Sequence, residues 1–499
     1  MKGWGIMKKT VVATLLIGTA LLAACSSDDA QKEQQTDSAA QHEHSMANTQ
    51  QNGPMDHEQL VLKDNTGTAT LTFPEILEPD SKKGNNVEYS LAAQSGTTEL
   101  FKGYETTTYG YNGSLLGPTL RLKEGQHVTI HLKNELPEAT TFHWHGLEVS
   151  GKADGGPHAL IEPGEEKTIQ FTVTQQAATL WYHPHPMGNT AQQVYKGLAG
   201  LLYIDDAKTT TLDLPRDYGE NDFPIVLQDR AFADGKQLDY SAVANIDGTY
   251  GDTMMINGVI NPALKTDKQL VRLRILNGSN ARNYLFHFDN DMSFTQIATD
   301  GGLLNKPVKT KELLLGAGER AEILVDLSQV KGDRVSLVDD KDVVLLPIEL
   351  SKKTATASTS TNLNEIRVDK SLEKQEPTKV VKMEGMRENV TINGKKFDEN
   401  RVDFTQKKGV TEVWEIENAI TDEGGMIHPF HIHGTQFLVL SVNGEKPEPS
   451  LQGYKDTITL QPGQKARIAV KFPYAGMYMF HCHILEHEDN GMMGQIEVK

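Results

Sequence analysis

The chain has 499 residues and a formal net charge of −18, an acidic balance that argues against nucleic acid as a partner and would mildly attract cations. Its length allows roughly three domains of ordinary size. With 43 Gly, 20 Pro and many short alternating apolar runs, the chain reads as all-β modules rather than helices.

At the start, Lys8-Lys9 precede an apolar run from Val11 to Ala24 that is too short for a comfortable membrane span. The run ends Leu22-Ala23-Ala24-Cys25, which resembles a bacterial lipoprotein processing box. Residues 1–24 then read as a signal peptide and Cys25 as the lipid-attachment residue, so that the anchor alone joins the protein to the outer face of the bacterial cytoplasmic membrane. Residues 25–65 are polar and poor in apolar content, the composition of a disordered tether. Within them His42, His44, Met46, Met55 and His57 have the chemistry to capture a soft metal, but a simple tether is the reading taken.

Beyond the tether one module occurs three times. Asn112-Gly113, Asn257-Gly258 and Asn393-Gly394 each accompany an alternating strand that ends in Asn: Val128 to Asn134, Val271 to Asn277, and Val413 to Asn418. A turn and a second strand follow each time, at Pro163-Gly164-Glu165, Ala317-Gly318-Glu319 and Pro462-Gly463-Gln464. Short strands punctuated by turns in each module point to Greek-key β-sandwiches. The modules are expected at 66–208, 209–350 and 383–499, with the Ser-, Thr-, Lys- and Glu-rich stretch 351–382 as a linker.

The chemistry lies in four histidine clusters: His143-Trp144-His145, His183-Pro184-His185, His428-Pro429-Phe430-His431-Ile432-His433, and His481-Cys482-His483 with His487. In an extended segment the i, i+2 pairs face the same way, so two imidazoles can approach one metal cluster. Cys482 points opposite to its flanking histidines. With His487 five residues on and Met492 five beyond that, it offers the thiolate, imidazole and thioether of a blue copper site. Assigning His428, Cys482, His487 and Met492 to that site leaves eight histidines, enough for two coppers with three His each and a third with two. A zinc site would not need paired His-x-His motifs at opposite ends of the chain. His127, His131, His158 and His287 lack partners at ligand spacing and read as ordinary surface or hydrogen-bonded residues.

In this order the clusters resemble those of the multicopper oxidases, in particular the three-domain bacterial laccase and copper-efflux-oxidase kind, from about Thr66 to the C-terminus. The resemblance implies three cupredoxin-like domains and four copper ions as cofactors. It implies a type 2 copper held by His143 and His431, and a type 3 pair held by His145, His183, His185, His433, His481 and His483. The segment from His143 to Val149 followed by Asp154-Gly155-Gly156-Pro157 is similar to the efflux-oxidase branch, where acids at the positions of Asp154 and Glu488 help deliver protons to reduced oxygen. Met426, two residues before His428, stands where a similar residue helps receive Cu⁺, with Asp422 and Glu423 nearby to add negative charge. Efflux oxidases often carry a Met-rich insert near the blue copper, yet no Met lies between Met292 and Met383.

The ligands fall in the first and third modules, which must therefore meet face to face, with the middle module expected as a spacer. The expected function is oxidation of Cu⁺ or phenolic donors, with Mn²⁺ or Fe²⁺ also open as donors, coupled through Cys482 to four-electron reduction of O₂ to water. Copper detoxification is the expected cellular role. The rivals are a laccase acting mainly on organic substrates and a copper-sequestering lipoprotein without turnover. A pure electron-transfer cupredoxin leaves eight histidines unexplained.

Overall fold

Alternation of apolar and polar residues produces the strands of the first sandwich. Strand His127–Glu135 buries Val128, Ile130 and Leu132 while His127, His131 and Glu135 stay exposed. A computed structural model describes residues 59–233, 236–351, 359–422 and 424–499, so Cys25, the tether residues His42 to His57, and Glu423 lie outside the described residues.

The threefold repeat in the sequence is a threefold repeat in space. Strand His127–Glu135 pairs antiparallel with Glu166–Thr172, as Leu270–Asn277 does with Arg320–Asp326 and Glu412–Asn418 with Lys465–Val470. On the other side the same three strands pair in parallel with Asn86–Phe101, Asp222–Arg230 and Lys379–Glu384. The turn asparagines Asn112, Asn257 and Asn393 have φ of 52°, 51° and 53°, the left-handed region that Asn tolerates. Each uses its side chain as the same clamp: the carbonyl accepts from the N–H of Ala92, Val226 or Lys382, and the amide donates to Ser90, Pro224 or Lys382's neighbour Val380. Satisfied turn by turn, the backbone closes three sandwiches, each of two sheets around its own apolar core.

Sheet membership differs from the sequence expectation at two places. Strand Ala69–Thr70 pairs with Pro262–Thr266 of the second sandwich, so the stretch from residue 66 does not open the first. Strand Lys379–Glu384 begins within the expected linker, because its Lys and Glu residues conceal the inward alternation of Val381 and Met383.

The alternation in Leu270–Asn277 also misleads. Arg272 and Arg274 alternate with apolar residues as if they faced water, but both are buried between the first two sandwiches. Arg274 Nε meets Asp222 Oδ1 at 2.7 Å and its Nη1 meets Glu322 Oε1 at 3.2 Å, while Thr179 of the first sandwich donates to Glu322 at 2.7 Å. Burial by itself would raise the Glu322 carboxyl, and the Arg272 and Arg274 guanidiniums outweigh it to hold the group at about 2. First and third sandwiches are joined by two short helices, Thr190–Tyr195 and Leu485–Asp489. Asp489 accepts from the N–H groups of Thr190 and Ala191 at 3.0 and 2.8 Å, and Leu485 packs on Ala191 and Val194.

Arg274→Ala leaves Asp222 and Glu322 buried with too little positive charge, and should destabilise the metal-free protein by about 3–5 kcal/mol, read as a fall in the urea midpoint. Lys465→Ala, at a half-exposed pair with Glu415 and Glu417, should cost under ~1 kcal/mol. Equal shifts in the two variants would contradict this account of the interface.

Candidate metal centres

Strand register brings the histidines together. His143–His145 pairs with Ala178–His183 so that His143 lies opposite His183, and His428–Ile432 pairs with Gly476–Cys482 so that His431 lies opposite His481. Odd and even positions then separate the two sites. His428, Phe430 and Ile432 face the core of the third sandwich together with Phe480, Cys482 and Ile484, whereas His431, His433, His481 and His483 face the first.

At the junction eight imidazoles are fully buried: His143, His145, His183, His185, His431, His433, His481 and His483. His143 stacks on His433 with ring centroids 3.7 Å apart, and His145 on His431 at 3.6 Å. Nε2 of His481 lies 3.2 Å from Nε2 of His185 and 3.1 Å from that of His433. Ligand atoms converge within 4.8 Å in the groups His143, His431, His433; His143, His145, His183; and His185, His433, His481. His483 completes the ring, 5.0 Å from His145 and 5.6 Å from His183 between centroids.

Desolvation favours the neutral form of seven of these rings. It pushes His145, His183, His185, His431, His433 and His481 well below the usual imidazole range and His483 to about 3. Four of the eight carry their proton away from the junction. Nδ1 donates to a backbone carbonyl in His143 (Asp154), His183 (Pro184), His431 (Asp456) and His481 (Cys482), at 2.8 to 3.1 Å. Nε2 of His143, His183 and His431 is left buried without a hydrogen-bond partner. Buried lone pairs facing one another at about 3 Å are unfavourable unless a cation lies among them, and two nitrogens each about 2.0–2.1 Å from a metal have this spacing.

In the third sandwich, His428, Cys482 and His487 form a separate group, fully buried, with Met492 in the same core. Cys482 Sγ lies 3.8 Å from His487 Nδ1 and accepts from the Ile484 N–H at 3.4 Å. Burial pushes the Cys482 thiol far above its usual range, so a thiolate here requires a bound cation. The strand-ending asparagines explain how His428 is oriented. In the first two modules the side-chain carbonyl of Asn134 or Asn277 accepts from the backbone N–H two residues on. In the third, Asn418 turns the same oxygen to His428 Nδ1 at 2.9 Å, leaving His428 Nε2 unpartnered. A repeated structural clamp has become part of the site.

Both expected acids are in place. Asp154 Oδ2 lies 2.8 Å from His433 Nδ1 and 3.6 Å from His143 Nδ1. Glu488 lies 3.2 Å from Nδ1 of His185 and of His481, at angles that make no hydrogen bond. Burial first, and then Asp489, push its carboxyl well above the usual range, which favours the neutral form. His127, His131 and His158 bond to Thr172, Thr168 and Gln495, and His287 lies 3.5 Å from Asp342, away from the junction as expected. Met426 stands outside the ligand groups, partly buried against the third core.

Sequence reasoning missed Asp456, whose Oδ1 lies 2.9 Å from His145 Nε2, and Asp247 of the middle sandwich, whose Oδ1 lies 3.7 Å from His487 Nε2. Neither belongs to a spaced motif. Asn418 did carry a signal, since the repeat singles it out.

The donor set of one thiolate, one thioether and ten imidazoles suits copper. Models of the multicopper oxidase family match residues 92–209, 226–336 and 371–499. A Staphylococcus haemolyticus protein named multicopper oxidase mco is 54% identical over 88% of this chain and 95% of its own. The crystal structure of a laccase from Pediococcus acidilactici is 43% identical with a TM-score of 0.84, covering 89% of this chain and all of that one. A laccase-like oxidase, CueO, from Ochrobactrum sp. is 35% identical with a TM-score of 0.76, covering 86% of this chain and all of that one. Three cupredoxin-like sandwiches, histidines gathered between the first and third, and these likenesses over most of its length have one explanation: the chain belongs to the multicopper oxidases and is a copper-dependent oxidoreductase.

Proposed function

We propose that this oxidase takes electrons from Cu⁺ and from phenolic donors at the edge of the Cys482 site, with copper detoxification as its cellular role. His428, Cys482, His487 and Met492 would hold the type 1 copper, His143 and His431 the type 2, and His145, His183, His185, His433, His481 and His483 the type 3 pair. Bound there, copper supplies one-electron oxidation of the donor and four-electron reduction of O₂ to water. The protein's part is geometric and protic. Cys482 and its peptide bonds to His481 and His483 give the shortest covalent link between the two centres. Glu488, buried between His185 and His481 where its neutral form is favoured, is placed to give a proton, and Asp154 orients His433.

The observation that carries the donor reading is the rim of the Cys482 site. Met426 packs there, and Met386 Sδ lies 3.9 Å from where a Cβ on Gly424 would be, two residues before Met426. Asp247, whose side chain is 16% exposed, faces the outer nitrogen of His487. Thioethers near a carboxylate suit a soft cation, and the phenolic part of the reading rests on the likeness to a laccase. The amino-terminal run ending at Cys25 supports an exported lipoprotein. A copper-sequestering protein without turnover is the alternative, and a measurement of O₂ uptake separates the two.

Cys482→Ser should abolish the blue absorption and lower O₂ uptake at least ~100-fold while the chain still folds. A variant that stays blue would mean that the thiolate assignment is wrong. Glu488→Gln and Asp154→Asn should slow reoxidation of the fully reduced enzyme by about 10²–10⁴-fold with copper content near normal, the range for a lost proton donor. Unchanged rates in both would remove the acids from the mechanism. Met426→Ala should weaken Cu⁺ oxidation several-fold more than oxidation of a phenolic dye. Equal losses for the two donors would leave Met426 as a general packing residue and count against a cuprous rim.

A further inference from the structure

The turn that occurs once in each module has the same form three times and a different fate once. At its fourth position stand Glu166, Arg320 and Lys465. The side chains of Glu166 and Lys465 are 71% and 47% exposed, whereas that of Arg320 is 0% exposed. In the middle sandwich this turn is driven into the junction of all three modules. A Cβ on Gly318, at φ of 84°, would come within 2.8 Å of the His483 ring. A Cβ on Gly146 of the first module would fall 2.4 Å from Asp456 Oδ2 and 2.7 Å from Arg320 Nη2. Only glycine permits this closeness.

Arg320 spends every donor there. Nε donates to Thr179 O of the first module at 3.0 Å. Nη1 donates to Gly318 O at 3.0 Å and to Asp456 Oδ1 at 2.7 Å, and Nη2 to Asp300 O at 3.2 Å and Asp456 Oδ2 at 2.5 Å. The fork is bidentate, so it fixes the plane of the Asp456 carboxylate as well as its charge. Gln436 Nε2 donates to Asp456 Oδ2 at 2.8 Å from the other side. Oriented in this way, Asp456 Oδ1 accepts a hydrogen bond from His145 Nε2 at 2.9 Å.

His145 is turned differently from His143, His183 and His431; Nδ1 of His185 is also unpartnered, but there Nε2 faces Nε2 of His481 at 3.2 Å. In His143, His183 and His431 the buried nitrogen without a partner is Nε2, whereas in His145 it is Nδ1. The ring therefore presents the opposite nitrogen to the junction, and the acid that imposes this tautomer is held by an arginine of the module that contributes no ligand. A buried ion pair is a costly way to join domains that apolar contacts could join, so its retention calls for a role besides adhesion.

We propose that the middle module completes the trinuclear centre: Arg320, acting through Asp456, is a positioning residue that locks His145 with Nδ1 toward the metals. This rests on the copper assignment made above. Occupancy of the junction should then depend on Arg320, while the Cys482 site, enclosed in the third core, should not.

The test uses the full chain and its Arg320→Gln, Arg320→Lys and Asp456→Asn variants, loaded anaerobically with copper. Copper per chain, the blue band, the near-ultraviolet type 3 band and the type 2 electron paramagnetic resonance signal are read for each. Arg320→Gln and Asp456→Asn should keep the blue band, lose most of the type 3 band and bind correspondingly less copper, and Arg320→Lys should recover part of the loss. Unaltered copper content and type 3 band in Arg320→Gln would overturn the proposal. If Arg320→Gln lost its blue band as well, Arg320→Lys would decide. A blue Lys variant with a reduced type 3 band supports the role, and a Lys variant with both bands intact reduces Arg320 to a stabilising residue and overturns it. An unaltered chain that took up copper without a type 3 band would overturn the copper assignment itself.

Discussion

Because successive side chains leave opposite faces of a strand, the peptide from His481 to His483 commits the third sandwich to two environments at once. Cys482 enters a sealed apolar core with Phe480 and Ile484, while its neighbours leave toward the first sandwich. Both environments are dry, and dryness sets the chemistry of each. It raises the thiol of Cys482 until only a cation can stabilise its anion, and it favours the neutral, metal-binding form of imidazoles such as His481. The one-residue offset between core and junction keeps the centres apart and covalently linked.

The rest of the architecture serves the junction. Eight inward-facing imidazoles cannot be assembled by one sandwich, whose strands end after a few residues, so the third sandwich must meet the first in a fixed register. Asp489 at the start of helix Thr190–Tyr195 fixes one side of that contact. The buried arginines of the middle sandwich fix the other, through Glu322 to Thr179 and through Asp456 to His145. Each of these charges is expensive to bury and is matched by several hydrogen bonds, which gives specificity of docking more than adhesion. The middle sandwich is thus more than a spacer.

Reuse of one module also explains where new parts came from. Asn134, Asn277 and Asn418 end equivalent strands, and the first two use their side chains to close a turn. Asn418 spends the same carbonyl on His428. Glu166, Arg320 and Lys465 occupy equivalent turn positions, and only the middle one is enclosed. In both cases a position common to all repeats acquired a second task where the repeats pack unequally.

The gathering of the histidines and the separate Cys482 group was legible in the sequence because its logic is local: spacing of two along a strand puts imidazoles on one face, and a thiol between them on the other. The threefold repeat was legible for the same reason, since turn asparagines and alternating runs act within a few residues. Arg320, Asp456 and Asp247 were not legible, and neither were the strands Ala69–Thr70 and Lys379–Glu384, which join sheets the local pattern did not indicate. Arg272 and Arg274 alternate as solvent-facing residues would, and nothing near them in sequence says that a second sandwich covers them. The sequence by itself determined which atoms can bind metal, because ligand chemistry belongs to side-chain type and short-range geometry. Which ring nitrogen faces the junction, which repeat is enclosed and which charges are paired was decided by the tertiary structure alone, because burial and orientation depend on partners hundreds of residues away.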